Sequence, residues 1–127
     1  MTESYTVCRF REFPVYRDLR ALRKDIKQLT KERFPSEEQF VLRPQLWRAL
    51  DSSILNVAEG ADRYSDKDFS HFLNTALTSV HEVVACLDCA FDDGYIDKEE
   101  HQALLLRCEN VLRQLKAFLA KVRRDNY

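Results

Sequence analysis

The stretch NVAEGADRYS, residues 56–65, lies between two apolar helical patterns, and its reading decides the fold. Upstream, Leu46, Trp47, Leu50, Ile54, Val57, Ala58 and Ala61 recur at the three-and-four spacing of one helix face. Downstream, Ser65 followed by Asp68 forms a helix-start signal, a side-chain acceptor for the exposed backbone N–H groups of the first turn. Gly60 costs a helix about 1 kcal/mol relative to alanine. Its presence therefore indicates a tight backbone approach or an imminent turn. The stretch is a joint, and a joint this short predicts antiparallel helices on either side.

Working outward, Pro14 suits a first helical turn. Val15, Leu19, Leu22, Ile26 and Leu29 then continue an apolar stripe until Phe34-Pro35 ends it. Gly94 is the expected stop of the third helix. Asp97 with Glu100 opens a fourth, which carries Leu104, Cys108, Val111, Leu115, Phe118 and Val122. The spacing predicts helices over about 14–34, 44–62, 66–93 and 98–124, within one domain spanning 1–127. The expected fold class is all-α, an up-down-up-down antiparallel four-helix bundle.

The 127 residues are 45% hydrophobic and 32% charged, with two glycines and three prolines, which favours a single core built from long elements. No apolar run approaches the roughly 18 residues of a membrane span. The first 13 residues, MTESYTVCRFREF, mix acids and bases without the apolar segment of a signal peptide. A cytoplasmic location is expected, with Cys8, Cys86, Cys89 and Cys108 as reduced thiols. The net charge of −1 conceals segregation: residues 1–50 hold 11 bases against 7 acids, 51–100 hold 3 against 12, and 101–127 hold 6 against 2.

The third helix is unusual in its outer face. From Phe69 to Phe91 only Glu82 and Asp88 carry full charges, where the composition of 32% charged residues would supply about seven. Asn74, Thr78, Ala85 and Cys89, small and uncharged, lie opposite the apolar arc. A well-buried bundle helix fits this pattern. A second subunit packed on the small residues fits it better, since self-association commonly supplies such a partner. On helix 2, Gln45, Arg48, Ser52, Asn56, Glu59 and Arg63 form one stripe, expected opposite the core. Asn56, Glu59 and Arg63 thus join Asn74, Thr78, Ala85 and Cys89 as candidate subunit-interface residues.

The run N-x-A-E-G-x-x-R-x-S at Asn56–Ser65, with FSHFLNTALTSVHE at Phe69–Glu82, resembles the bacterial four-helix-bundle protein family. That family includes proteins encoded by intervening sequences inside large-subunit ribosomal RNA genes. It also includes the accessory variability determinant of diversity-generating retroelements. FPVYRDLRAL, LRPQLWRAL and AFDDGYI match its pattern as well, so the likeness covers nearly the whole chain. The resemblance implies a cytosolic bundle assembling as a ring-like homopentamer. In the retroelement branch it implies a basic ring that binds nucleic acid and a reverse transcriptase. The chain departs from the pattern at Thr78, where glycine is frequent, and around Ala61-Asp62-Arg63, where bases are more numerous.

Among features that could carry chemistry, Arg17, Arg20, Lys24, Lys27 and Lys31 follow one ridge of helix 1 over roughly 21 Å. They are candidate nucleic-acid contacts, since such a ridge can follow a phosphate backbone and release counterions. A solvated face is the plainer alternative, with Asp18, Asp25 and Glu32 along its flank. Cys86-x-x-Cys89 lacks the further ligands of a structural zinc site. The sequence contains no Glu-x-x-His pair for a di-iron centre and too few glycines for a phosphate loop. A non-enzymatic role without cofactor, metal or small-molecule substrate is expected. The partners expected are further copies of the chain and RNA or DNA. A scaffold that binds only protein is the alternative.

Overall fold

A computed structural model describes residues 7–63 and 65–126, and the side chains of all of these except 125 and 126. The first six residues of the segment read for a signal peptide, and Tyr64 of the joint, lie outside the described residues. Four helices, α1 (Pro14–Arg33), α2 (Leu42–Ala61), α3 (Asp66–Asp92) and α4 (Lys98–Asn126), account for most of the chain. Short 3₁₀ turns at Arg9–Glu12 and Ser36–Glu38 precede α1 and α2, and the described residues contain no strand.

Each helix end has a local cause. Pro14 opens α1 behind extended Phe13, and extended Phe34 closes it ahead of Pro35. α2 begins two residues before Pro44. Proline is tolerated there because first-turn N–H groups lack intrahelical acceptors. The Leu42 N–H instead donates to Glu38 Oε1 at 3.3 Å. Ser65 Oγ accepts from the Asp68 N–H at 3.1 Å, as its capping signal predicts. Gly94, at φ +79°, ends α3 in the left-handed conformation. There the Tyr95 N–H reaches the Ala90 carbonyl at 2.9 Å and the Gly94 N–H the Phe91 carbonyl at 3.0 Å. Asp97 and Glu100 cap each other's N–H groups reciprocally, at 2.8 and 2.9 Å.

The packing is antiparallel throughout. Between α1 and α4, Phe13 meets Phe118, Asp18 Gln114, Asp25 Arg107 and Arg33 Glu100, one series rising as the other falls. Arg23–Asp51 and Thr30–Trp47 relate α1 and α2 in the same way, as do Ser52–Ser79 with Gly60–Phe72 for α2 and α3. Phe69–Phe118 and Asp88–His101 do so for α3 and α4. The four helices thus close on one apolar core, centred on Leu22, Ile26, Leu46, Val57, Leu73, Val83, Leu87, Cys108 and Leu115.

Three sequence expectations shift. Leu119, not Phe118, enters the α4 core. Phe118 is half-buried between the rings of Phe13 and Phe69, at 5.1 and 5.2 Å. Trp47 likewise is half-buried, while Ala49 and Ser53 turn inward. The α2 polar stripe faces outward only in part: Gln45, Arg48, Glu59 and Arg63 are exposed, but Ser52 and Asn56 are half-buried, and Ser52 Oγ lies 2.8 Å from Ser79 Oγ. The cause is the small side chains Ala49, Ser53 and Gly60, which widen the buried face of α2 toward α3. Leu55, by contrast, is an apolar side chain of α2 left 64% exposed.

Gly60 is the tight approach that the sequence indicates. A Cβ there would lie 2.7 Å from Phe72 Cβ and 3.0 Å from Phe69 Cδ1. Gly60→Ala gains about 1 kcal/mol of helix propensity, yet a net loss of about 1–3 kcal/mol is expected from overpacking. Urea unfolding tests this prediction: a midpoint at or above that of the unmodified protein would contradict it.

Candidate functional site

The basic ridge of α1 is present and its surroundings differ from the sequence expectation. Arg17, Arg20, Lys24 and Lys31 are exposed and Lys27 is half-buried. Arg17 Nε donates to the Arg11 carbonyl at 3.2 Å, and Arg20 lies over the Tyr16 ring at 5.8 Å. None of the five forms a salt bridge among the described residues. The flanking acids, expected to moderate the ridge, are engaged elsewhere. Asp25 pairs with Arg107 of α4 at 2.8 Å, and Asp18 accepts from Gln114 at 2.7 Å. Glu32 accepts from Gln28 at 2.8 Å.

Toward the C-terminal end of α1 the ridge meets α2. Trp47 Nε1 donates to Thr30 Oγ1 at 3.0 Å, and Thr30 Oγ1 donates in turn to the Lys27 carbonyl at 2.8 Å. The indole so fixed collects three cations. Lys27 Nζ is 4.2 Å from the ring centroid, and Lys31 Nζ and the Arg43 guanidinium carbon are each 5.9 Å away. Sequence reasoning missed Arg43 and assigned Trp47 to the core. The available signal was that Arg43 and Trp47 stand four apart at the start of a helix antiparallel to α1.

The second candidate surface spans α2 and α3. Asn74, Thr78, Ala85 and Cys89 are all exposed, and Asn56 is half-buried. The Asn56 amide donates to the Ser52 carbonyl at 2.8 Å and to Ser52 Oγ at 3.2 Å, tying it to the edge of the α2–α3 seam. Glu59 pairs with Arg63 at 3.1 Å, and that guanidinium lies 4.6 Å from the Phe72 ring centroid. Neither charge needs a partner outside the chain. Beside this pair an open cleft of about 830 Å³ runs between the N-terminal 3₁₀ turn and the end of α2, over Phe10, Leu55, Ala58 and Ala61. Arg9 closes one side by donating to the Ala61 carbonyl at 3.0 and 3.3 Å.

With this geometry in place, comparison with known proteins places the chain. Residues 11–117 match the 23S rRNA-intervening sequence protein family. The chain belongs to that family. Its fold resembles the crystal structure of a protein of unknown function from the S23 ribosomal protein family of Bacteroides thetaiotaomicron VPI-5482. The TM-score is 0.76 at 23% identity, covering 83% of this chain and 97% of the other. No curated protein matches the chain.

The two cysteines of the Cys86-x-x-Cys89 pair stand in different surroundings. Cys86 is buried while Cys89 is exposed. Burial, then Cys89 and Glu82, push the Cys86 thiol above its ordinary range. Burial pushes Cys108 up to about 11. Both shifts oppose thiolate formation, the reverse of an activated nucleophile. No group of three or more His, Cys, Asp or Glu among the described residues is placed to hold a metal ion. No helix of the described residues is long and apolar enough to cross a membrane. Cys86 and Cys108 are expected to resist an aromatic disulfide reagent at pH 8 in the folded protein and to react once urea unfolds it. Prompt reaction of Cys108 in the folded protein would contradict its burial.

Proposed function

We propose that this family member is a non-enzymatic, cytosolic homo-oligomeric adaptor that presents repeated basic ridges to RNA or DNA. The observation that carries the proposal is the engagement of Asp18 and Asp25 by α4, which leaves Arg17, Arg20, Lys24, Lys27 and Lys31 without a salt bridge among the described residues. A ridge of this kind suits a polyanion, and neutralising five phosphates would give a salt slope of about −4. The family's description supports an RNA connection. In this reading the small, uncharged face of Asn74, Thr78, Ala85 and Cys89, with the Asn56–Glu59–Arg63 edge, meets the next subunit. The assembly is the homopentameric ring that the family resemblance implies. Repetition around a ring would raise the avidity of individually weak ridges.

Two variants test the parts separately. Ala85→Lys places a charge on the proposed subunit face and is expected to convert the assembly to monomer in native mass spectrometry. Monomeric protein both before and after the change would remove the ring from the proposal. Lys24→Glu with Lys27→Glu is expected to abolish RNA retention without changing subunit number. Retention unchanged at 0.1 M salt would exclude the ridge as the contact.

A scaffold that binds only protein is the second reading, favoured by Leu55, 64% exposed between the open cleft and the α1–α2 groove. Partner binding indifferent to salt would support it over the first.

A further inference from the structure

Resting on the nucleic-acid reading above, we infer that the corner where α1 meets α2 is a platform for single-stranded nucleic acid. In this site Lys24, Lys27, Lys31 and Arg43 hold phosphates and Phe40 stacks on a base.

The cationic half of this site is crowded at a cost. Lys24, Lys27 and Lys31 stand three and four apart on one helix, a spacing at which like charges repel. Arg43 approaches from α2 to the same indole that Lys27 and Lys31 cover. None of the four has a carboxylate partner among the described residues. Arg43 is also poorly held: its Nε is buried without a hydrogen-bond partner, and one terminal nitrogen reaches the Thr30 carbonyl only at 3.4 Å. Trp47 offsets the repulsion in part through its π face. A bound phosphate would offset it further, and this charge complementarity selects an anionic occupant.

The aromatic half selects a particular kind of anion. Phe40 is 84% exposed and Val41 59%, both in the turn immediately before α2 and three and two residues ahead of Arg43. The ring has given up almost none of its surface to the protein. The acids of the preceding 3₁₀ turn are Glu37 and Glu38, and Glu32, beside Lys31 in sequence, accepts from Gln28 at 2.8 Å. Glu38 is withdrawn, accepting from the Tyr95 hydroxyl at 2.6 Å and from the Leu42 N–H at 3.3 Å. A duplex offers phosphates but keeps its bases stacked inside. Only a single strand supplies an open base to an exposed ring three residues along the chain from Arg43, and base–aromatic stacking of this kind is tolerant of sequence.

The molecule carries its own reporter, since Trp47 is the sole tryptophan and stands among the binding cations. The experiment titrates the full chain with a short oligouridylate and, separately, with a duplex RNA of equal charge, following Trp47 fluorescence. Phe40→Ala is expected to weaken the single strand about tenfold and leave the duplex unaffected, with Phe40→Tyr restoring affinity. Circular dichroism checks that both variants fold. Phe40→Ala with unchanged single-strand affinity, or equal binding of duplex and single strand, overturns the platform. If Lys24→Glu/Lys27→Glu still abolishes that binding, the ridge reading survives. No binding of either RNA by the unmodified protein overturns both. A protein ligand lost in Phe40→Ala, with no oligonucleotide bound, would also overturn the platform.

Discussion

The backbone of Gly60 and the Cβ of Phe72 lie so close that no side chain fits between them, and much of the molecule follows from that approach. It allows α2 to run buried to its last turn and α3 to start within a few residues, so the two helices pack face to face. Ala49, Ser53, Ala76 and Ser79 continue the small-residue contact along the seam, with Ser52 and Ser79 joined across it. Because the seam is narrow, α3 keeps an outward face of small side chains that neither α2 nor α4 covers. The same end is fastened from outside by Arg9, whose guanidinium takes the Ala61 carbonyl and lies within 6 Å of the Phe13 and Phe69 ring centroids, at 5.9 and 5.7 Å.

A second constraint is electrostatic. α1 carries acids on one edge and bases on its outer ridge, and the bundle sorts them. The acidic edge turns to α4, where Arg107, Gln114 and Asn110 receive it. The C-terminal part of the basic ridge turns to α2, where Trp47 receives Lys27. These partly exposed pairs add little to stability individually. Their effect is on the surface: carboxylates that would neutralise the lysines are directed away from them.

The helices were legible because periodicity and capping are local. Pro14, Phe34-Pro35, Ser65 and Gly94 mark boundaries through their own backbone preferences, and the structure places each as the sequence predicts. The start of α2 was less legible because its N–H group is capped by Glu38 from the preceding 3₁₀ turn, a contact with no strong sequence signature. Phe118 and Leu119 are neighbours in sequence and flank the α4 core stripe on either side, about 100° apart. Which enters the core depends on where Phe13 and Phe69 sit, on two other helices. The same limit applied to the candidate site. The five bases of α1 share one helix and could be read directly. Arg43 and Trp47 join them only through the pairing of α1 with α2, and periodicity within one helix contains no such information. The direction taken by Asp18 and Asp25 was equally a property of the packed pair.

The division of labour along α1 links surface charge to the closed state of the bundle. Asp18 and Asp25 have their α4 partners only while α4 is seated. If α4 lifts, both carboxylates lose their partners and are free to swing toward the ridge, lowering its attraction for anions. An anion on the ridge would therefore bind the closed bundle in preference to the open one, and thermodynamic linkage requires it to hold α4 down in return. The bundle would in this way couple occupancy of one face to the seating of the helix behind it.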